Sequence, residues 1–124
     1  MSRHVLIVDD EASFRFSAGI ALRQAGYKVS EAGDGEEGLM KILSHYRLGD
    51  PFDLALLDIL MPKMNGIDLY DALKERGIEL PVMFISGYAD YSMIKSLEKK
   101  SPFHLLRKPF EVIHLLRSIE MMVN

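Results

Sequence analysis

The stretch Leu54-Ala55-Leu56-Leu57-Asp58-Ile59-Leu60-Met61-Pro62-Lys63-Met64-Asn65-Gly66 sets a short apolar run against one carboxylate, then a segment punctuated by Pro62 and Asn65-Gly66. An apolar run bounded by turn signals reads as a strand buried on both faces. Asp58 is the first residue past its carboxyl end. In an open parallel sheet that edge is where ligands and chemistry collect. An acid there caps a helix or turn, or serves as nucleophile or metal ligand. Taken alone, the capping role is the commoner one, so the rest of the chain has to decide.

Outward from this stretch, strand alternates with helix. Val5-Leu6-Ile7-Val8 is a strand stopped by Asp9-Asp10, and a helix over about 11–25 follows with Phe14, Ala18, Ala21, Leu22 and Ala25 on one stripe. Gly26 ends that helix. Tyr27 to Glu31 is a second strand, and the next helix sets Leu39, Ile42, Leu43 and Tyr46 at core spacing. Beyond Asn65-Gly66 a third helix runs to about Arg76, with Leu69, Ala72 and Leu73 inward, and Asn65 suits its start. Pro81 to Ile85 is a fourth strand ending at Ser86-Gly87, and a thinly apolar helix over about 89–100 points Met93 and Leu97 inward before Ser101-Pro102 stops it. Phe103 to Leu106 is a fifth strand ended by Arg107-Lys108-Pro109; a final helix from Phe110 carries Ile113, Leu116, Ile119 or Glu120, and Val123. Such alternation predicts an α/β fold, a parallel sheet with helices on both faces and right-handed crossovers.

Composition narrows the class. The chain has 124 residues, a net charge of −3 and no cysteine. That size supports one domain with one core, and the charge offers no basic field for nucleic acid or membrane. Disulfides and thiolate metal sites are excluded, and no signal sequence or membrane span is legible. A cytoplasmic domain is the default expectation. His4, His45, His104 and His114 show no metal-ligand spacing and read as surface or edge positions, and the eight methionines read as core filler.

The strand ends carry the chemistry. Asp9-Asp10 follow strand one, Asp58 strand three, Ser86-Gly87 strand four and Lys108 strand five. If strands one, three and four are neighbours, these groups converge on one crevice. Crowded carboxylates raise one another's pKa unless a cation intervenes. With neither Cys nor His among them, the matching ion is a hard one, Mg2+ or Mn2+ in its place. Lys108, the Ser86 hydroxyl and the Gly87 amide would complete a cradle for phosphoryl oxygens, with Asp58 as a nucleophile able to form an aspartyl phosphate. Each group has a plainer reading: Asp9 or Asp10 as helix cap, Ser86 as turn hydroxyl, Lys108 as a solvated strand end. Only the joint pattern favours the chemical one.

That pattern resembles the receiver domain of bacterial two-component response regulators across essentially the whole chain: Val-Asp-Asp-Glu at 8–11, Leu-Leu-Asp-Ile-Leu-Met-Pro-Lys-Met-Asn-Gly at 56–66, Ile-Ser-Gly-Tyr at 85–88 and Lys-Pro-Phe at 108–110. The resemblance implies a three-layer, doubly wound (βα)5 flavodoxin-like fold with strand order 2-1-3-4-5, and a single receiver domain over 1–124 with no output domain. It implies that Asp58 accepts a phosphoryl group from a phosphohistidine on a sensor histidine kinase or histidine phosphotransfer protein. Asp10 would bind Mg2+ directly, Asp9 largely through water, and the Leu60 carbonyl would complete the ligands. Ser86 would be the switch hydroxyl on the phosphoryl oxygen, Lys108 the salt-bridge partner of that oxygen, and Lys108–Pro109 a cis peptide. Phosphorylation would shift the face of the fourth helix, fifth strand and fifth helix to control an output domain or target protein. Tyr88 and Leu60 would flank the water path for self-hydrolysis.

Two departures stand out. The position three before the lysine, usually aromatic in that family, is Leu105, with Phe103 on the same strand face. The turn before strand five is Ser101-Pro102, where the family commonly has Gly-Ala. Phe16 and Ile20, four apart on the first helix and off its core stripe, read either as scattered apolar exposure or, as the resemblance implies, as a ridge for docking the phosphohistidine donor. Two other classes compete with this one. A haloacid-dehalogenase-type phosphatase would put its acids two apart on strand one, whereas Asp9 and Asp10 are adjacent. A binding module of the same fold, regulated by protein contact without phosphorylation, is the nearer alternative.

Overall fold

Unbroken apolar runs and helical stripes resolve, in the computed structural model, into ten elements; residues 2–87, 91–98 and 103–123 are described. They are β1 (His4–Val8), α1 (Ala12–Gln24), β2 (Lys28–Ala32), α2 (Gly35–Arg47), β3 (Leu54–Asp58), α3 (Gly66–Glu75), β4 (Val82–Ser86), α4 (Tyr91–Glu98), β5 (His104–Arg107) and α5 (Val112–Val123). Tyr88, the ends expected for the fourth helix at 89 and 100, and the Ser101-Pro102 turn lie outside the described residues. All strand pairs are parallel and the order is β2-β1-β3-β4-β5, the predicted arrangement. Among the described residues no helix is long and apolar enough to cross a membrane.

The sheet separates two cores because successive side chains on a strand point to opposite faces. Leu6, Val8, Leu57 and Phe84 face Ile42 of α2, Leu69 and Leu73 of α3, and Ile94 and Leu97 of α4. Val5, Ile7, Leu56 and Ile85 face Ala18 and Leu22 of α1 and Leu115, Ile119 and Val123 of α5. Every residue of β1, β3 and β4 is buried. A buried Val, Leu or Ile contributes roughly 1.5–3 kcal/mol, so these three strands form the rigid floor from which the strand-end residues project.

The structure corrects several sequence expectations. Asp58 is the last residue of β3, opposite Ile85, and does not lie beyond the strand. Tyr46 is half exposed, because His45 takes the inward place at the end of α2 and packs on Phe52, ring centroids 4.4 Å apart. In α5 the inward stripe is Leu115, Ile119 and Val123, and Ile113 faces out. That helix is apolar on most sides, so its sequence left the phase open. His4 is buried, neither surface nor edge, since β1 is a central strand. Met40 and Met121 are exposed and so are not core filler.

The loop after β3 folds back on the strand it leaves. Asn65 caps α3 by accepting the Asp68 N–H at 2.8 Å, and the Gly66 N–H reaches the Ile59 carbonyl at 3.0 Å. A Cβ on Gly66 would sit 2.4 Å from the Asp58 carbonyl oxygen, so only glycine lets the loop approach this closely. Gly66→Ala is expected to cost about 1–3 kcal/mol of stability in urea denaturation, as overpacking against backbone does. A change within about 0.5 kcal/mol, the range of neutral surface substitutions, would contradict that reading.

Candidate functional site

Parallel strands end on the same side, and the register brings β1, β3, β4 and β5 out at nearly one level. Asp9 and Asp10 leave β1, Asp58 closes β3, Ser86 closes β4 and Lys108 follows β5. Asp9, Asp10 and Asp58 each offer a carboxylate oxygen within 4.8 Å of the others. Asp9 is fully buried, Asp58 is 6% exposed, and Asp10 faces solvent at the rim.

Asp9 is the best satisfied of the three. One oxygen accepts the Glu11 N–H at 2.9 Å, so it does serve the turn into α1, while the other accepts from Lys108 Nζ at 2.9 Å. Lys108 also donates to Glu11 Oε1 at 2.8 Å, and its ammonium lies 4.4 Å from the centre of the Phe14 ring. Its backbone N–H donates to the Ser86 carbonyl at 2.7 Å, and the Lys108–Pro109 peptide is cis. Burial works against the charged lysine, but its hydrogen bonds to Glu11 and Asp9, with the Asp9 and Asp58 charges, outweigh that and raise its pKa.

Asp58 has weaker support. One of its oxygens accepts the Leu60 N–H at 3.4 Å. Burial, then the neighbouring Asp9 charge, pushes its carboxyl up to about 7, with Lys108 pulling the other way. Ser86 is buried, and its Oγ has no hydrogen-bond partner among the described residues. Buried hydroxyls in native proteins are nearly always paired, so this one marks a place where a further acceptor belongs.

The donor set is oxygen only, crowded and electrostatically unsatisfied, which fits Mg2+ or Mn2+ and not a thiophilic ion. Asp9, Asp10 and Asp58 thus meet as the sequence led one to expect, with Lys108 beside Asp9. The Leu60 side chain is exposed at the mouth, and Gly87 follows Ser86 at half burial. Leu105 and Phe103 both pack against the core under α2–α4, whereas Leu106 faces the other core. On α1, Phe16 is 67% and Ile20 is 40% exposed, apart from the acid cluster.

Three participants escaped the sequence reading. Glu11 and Phe14 flank the Lys108 ammonium, and Arg15 ties the site's edge by donating to the Asp9 carbonyl at 2.6 Å and to Glu31 at 3.2 Å. Helical spacing puts Phe14 on the core stripe, and it does both, packing on Phe110 while lying beneath the lysine. A contact between residues 97 apart leaves no local sequence signal.

Comparison with known proteins gives an independent line. The family model of the response regulator receiver domain matches residues 5–120. The chain is 34% identical over 123 residues to the sensor kinase CckA of Brucella abortus, covering 99% of this chain but 13% of that protein. It is 31% identical to the response regulator receiver protein CpdR of the same organism, covering 98% of this chain and 97% of that protein. The transcriptional regulatory protein DltR of Streptococcus agalactiae is 33% identical, with half of its length matched. Thus the chain spans a small part to about half of some of the curated relatives it matches. Among solved structures, the Vibrio cholerae chemotaxis protein CheY4 superposes with a TM-score of 0.84 at 27% identity, covering 98% of this chain and 99% of that one.

The raised Asp58 pKa carries a pH signature. Unfolded, this carboxyl loses its proton near pH 4; folded, at about 7. Between those values the folded state binds more protons, so its stability falls as pH rises through that window. In EDTA, Asp58→Asn should therefore gain on wild type by about 1–3 kcal/mol between pH 4 and pH 8 in chemical denaturation. A difference that stays constant with pH would contradict this electrostatic account.

Proposed function

This chain belongs to the response regulator receiver domain family, the signalling switches of two-component systems, and from that premise we propose that Asp58 takes a phosphoryl group from a phosphohistidine. The Asp58 carboxylate oxygen attacks phosphorus, an O–P bond forms as the P–N bond breaks, and the imidazole leaves and takes up a proton. Asp9, Asp10 and Asp58, with the Leu60 carbonyl, would hold Mg2+ or Mn2+. Bound there, the ion supplies charge neutralisation to the carboxylates and to the incoming phosphoryl oxygens. Lys108 adds a positive point charge, and the Ser86 hydroxyl and Gly87 N–H donate to the same oxygens. Catalysis is then positioning plus electrostatics.

The output step follows from where these groups sit. A phosphoryl group adds roughly −1.5 to −2 charges and three acceptor oxygens. Ser86 ends β4 and Lys108 follows β5, so drawing both toward Asp58 biases the face built by α4, β5 and α5. A coupling of about 1–3 kcal/mol is typical of such linkage and suffices for a population shift. Leu105 stands at the position usually held by an aromatic ring, so that coupling involves no ring rotation there. The acyl phosphate hydrolyses in place, so the chain resets itself without turning over an external substrate. The donor is a sensor histidine kinase or histidine phosphotransfer protein that docks on Phe16 and Ile20, and the target is a protein or output domain.

What carries this reading is the meeting of three carboxylates, from just past β1 and from the end of β3, within 4.8 Å, beside an ammonium at 2.9 Å from one of them and a buried hydroxyl without a partner among the described residues. Intact mass after acetyl phosphate and Mg2+ should show one added phosphoryl group, lost in Asp58→Asn and in EDTA. An unlabelled wild type would favour regulation by protein contact alone. The docking ridge makes a separate prediction: Phe16→Glu should slow transfer from the cognate phosphohistidine donor about tenfold or more, the scale of losing an interface anchor, while acetyl phosphate labelling persists. Equal slowing of both reactions would remove the ridge from the account.

A further inference from the structure

At the opposite end of the sheet from Asp58, a second group of ligand-type side chains converges. His4 opens β1, His45 lies in the last turn of α2, and Asp50 follows in the loop to β3. One ligand atom from each lies within 4.8 Å of the others. The His4 and His45 ring centroids are 5.5 Å apart, and both rings pack on Phe52, at 4.6 and 4.4 Å. His45 Nδ1 faces Asp50, 3.1 Å from its carbonyl oxygen and 3.7 Å from Oδ2.

The telling member is His4, only 5% exposed. Its Nε2 is 2.8 Å from Ser30 Oγ, but its Nδ1 is buried with no hydrogen-bond partner among the described residues. If the rings served only to stack on Phe52, that nitrogen would be left desolvated for nothing. Among the described residues, Ser86 Oγ is the other buried side-chain atom in this condition. Asp53 is already engaged, accepting the His4 backbone N–H at 2.7 Å and pairing with Arg3 at 3.7 Å.

We propose that His4, His45 and Asp50 form a binding site for a borderline divalent transition-metal ion such as Zn2+, separate from the acid cluster at the other end of the sheet. Two imidazoles and one carboxylate are a donor set that zinc takes up and Mg2+, which needs an octahedron of oxygens, does not. Ser30 plays the part of the partner that orients a ligating histidine through its other nitrogen. Zinc–ligand bonds of about 2.0–2.1 Å place tetrahedral neighbours about 3.4 Å apart, so the three atoms must close in slightly. Asp50 is free to supply that movement, with its side chain exposed beside Gly49, whose φ of 74° turns the loop back toward α2. Water would fill the fourth position. The ion would staple the end of α2 to the start of β1, so melting temperature should rise with free metal.

The test uses the full chain, stripped with EDTA, dialysed, and titrated with Zn2+ in saturating Mg2+ by calorimetry, with the histidine ring resonances followed by NMR. One equivalent of Zn2+ should bind, shift the His4 and His45 ring signals and raise the melting temperature. Affinity should fall at least about tenfold in His45→Gln and in Asp50→Asn, whose exposed position guards against a folding failure, while Asp58→Asn keeps it. No uptake, uptake within twofold of wild type in both site variants, or uptake abolished by Asp58→Asn would each overturn the proposal.

Discussion

The constraint on which the structure turns is the enforced closeness of carboxylates that repel one another. Asp9 and Asp58 are anchored at the ends of adjacent central strands, every residue of which is buried. Neither can retreat without dragging a strand through a packed interior, and packed interiors shift only at substantial cost. Lys108 relieves Asp9, and the Glu11 N–H and the lysine between them occupy both of its oxygens. Asp58 is left as the frustrated partner, and its elevated pKa expresses that frustration. A site held in this condition gains by taking in positive charge.

The same sheet explains how a local charge event can be read at a distance. The strands that deliver Ser86 and Lys108 also form the floor beneath α4 and α5, and Lys108 is tied to Ser86 through its backbone N–H. Movement at one rim is therefore shared by two adjacent strands. At the opposite rim the His4–His45–Asp50 group sits where β1 begins. Each end of β1 thus holds a titratable cluster, the acids beyond its carboxyl end and the imidazoles at its amino end, with a fully apolar stretch between them.

Most of the fold was legible because central parallel strands announce themselves as short apolar runs, and the residues that follow such runs are known to share an edge. The candidate acids, Ser86 and Lys108 were legible for the same reason. What was not legible depended on helix phase and on distant partners. Tyr46 and Ile113 were placed inside by spacing alone, yet in α2 the inward position passes to His45 through its contact with Phe52, and α5 is apolar on too many sides to declare a face. Glu11 and Phe14 around Lys108 required knowledge of where residue 108 lands. His4 and His45 are 41 positions apart in sequence, as their numbers show, so no spacing rule brings them together; only the meeting of β1 with the end of α2 does.

The most direct test of the central claim is the titration of the Asp58 carboxyl carbon by NMR, in EDTA and again in saturating Mg2+. The account predicts a midpoint of about 7 without the ion, falling by roughly 2 units or more once a divalent charge sits among the three acids. A midpoint that is the same in both conditions would mean that the carboxylates do not share a cation, and the electrostatic basis of the account would fail.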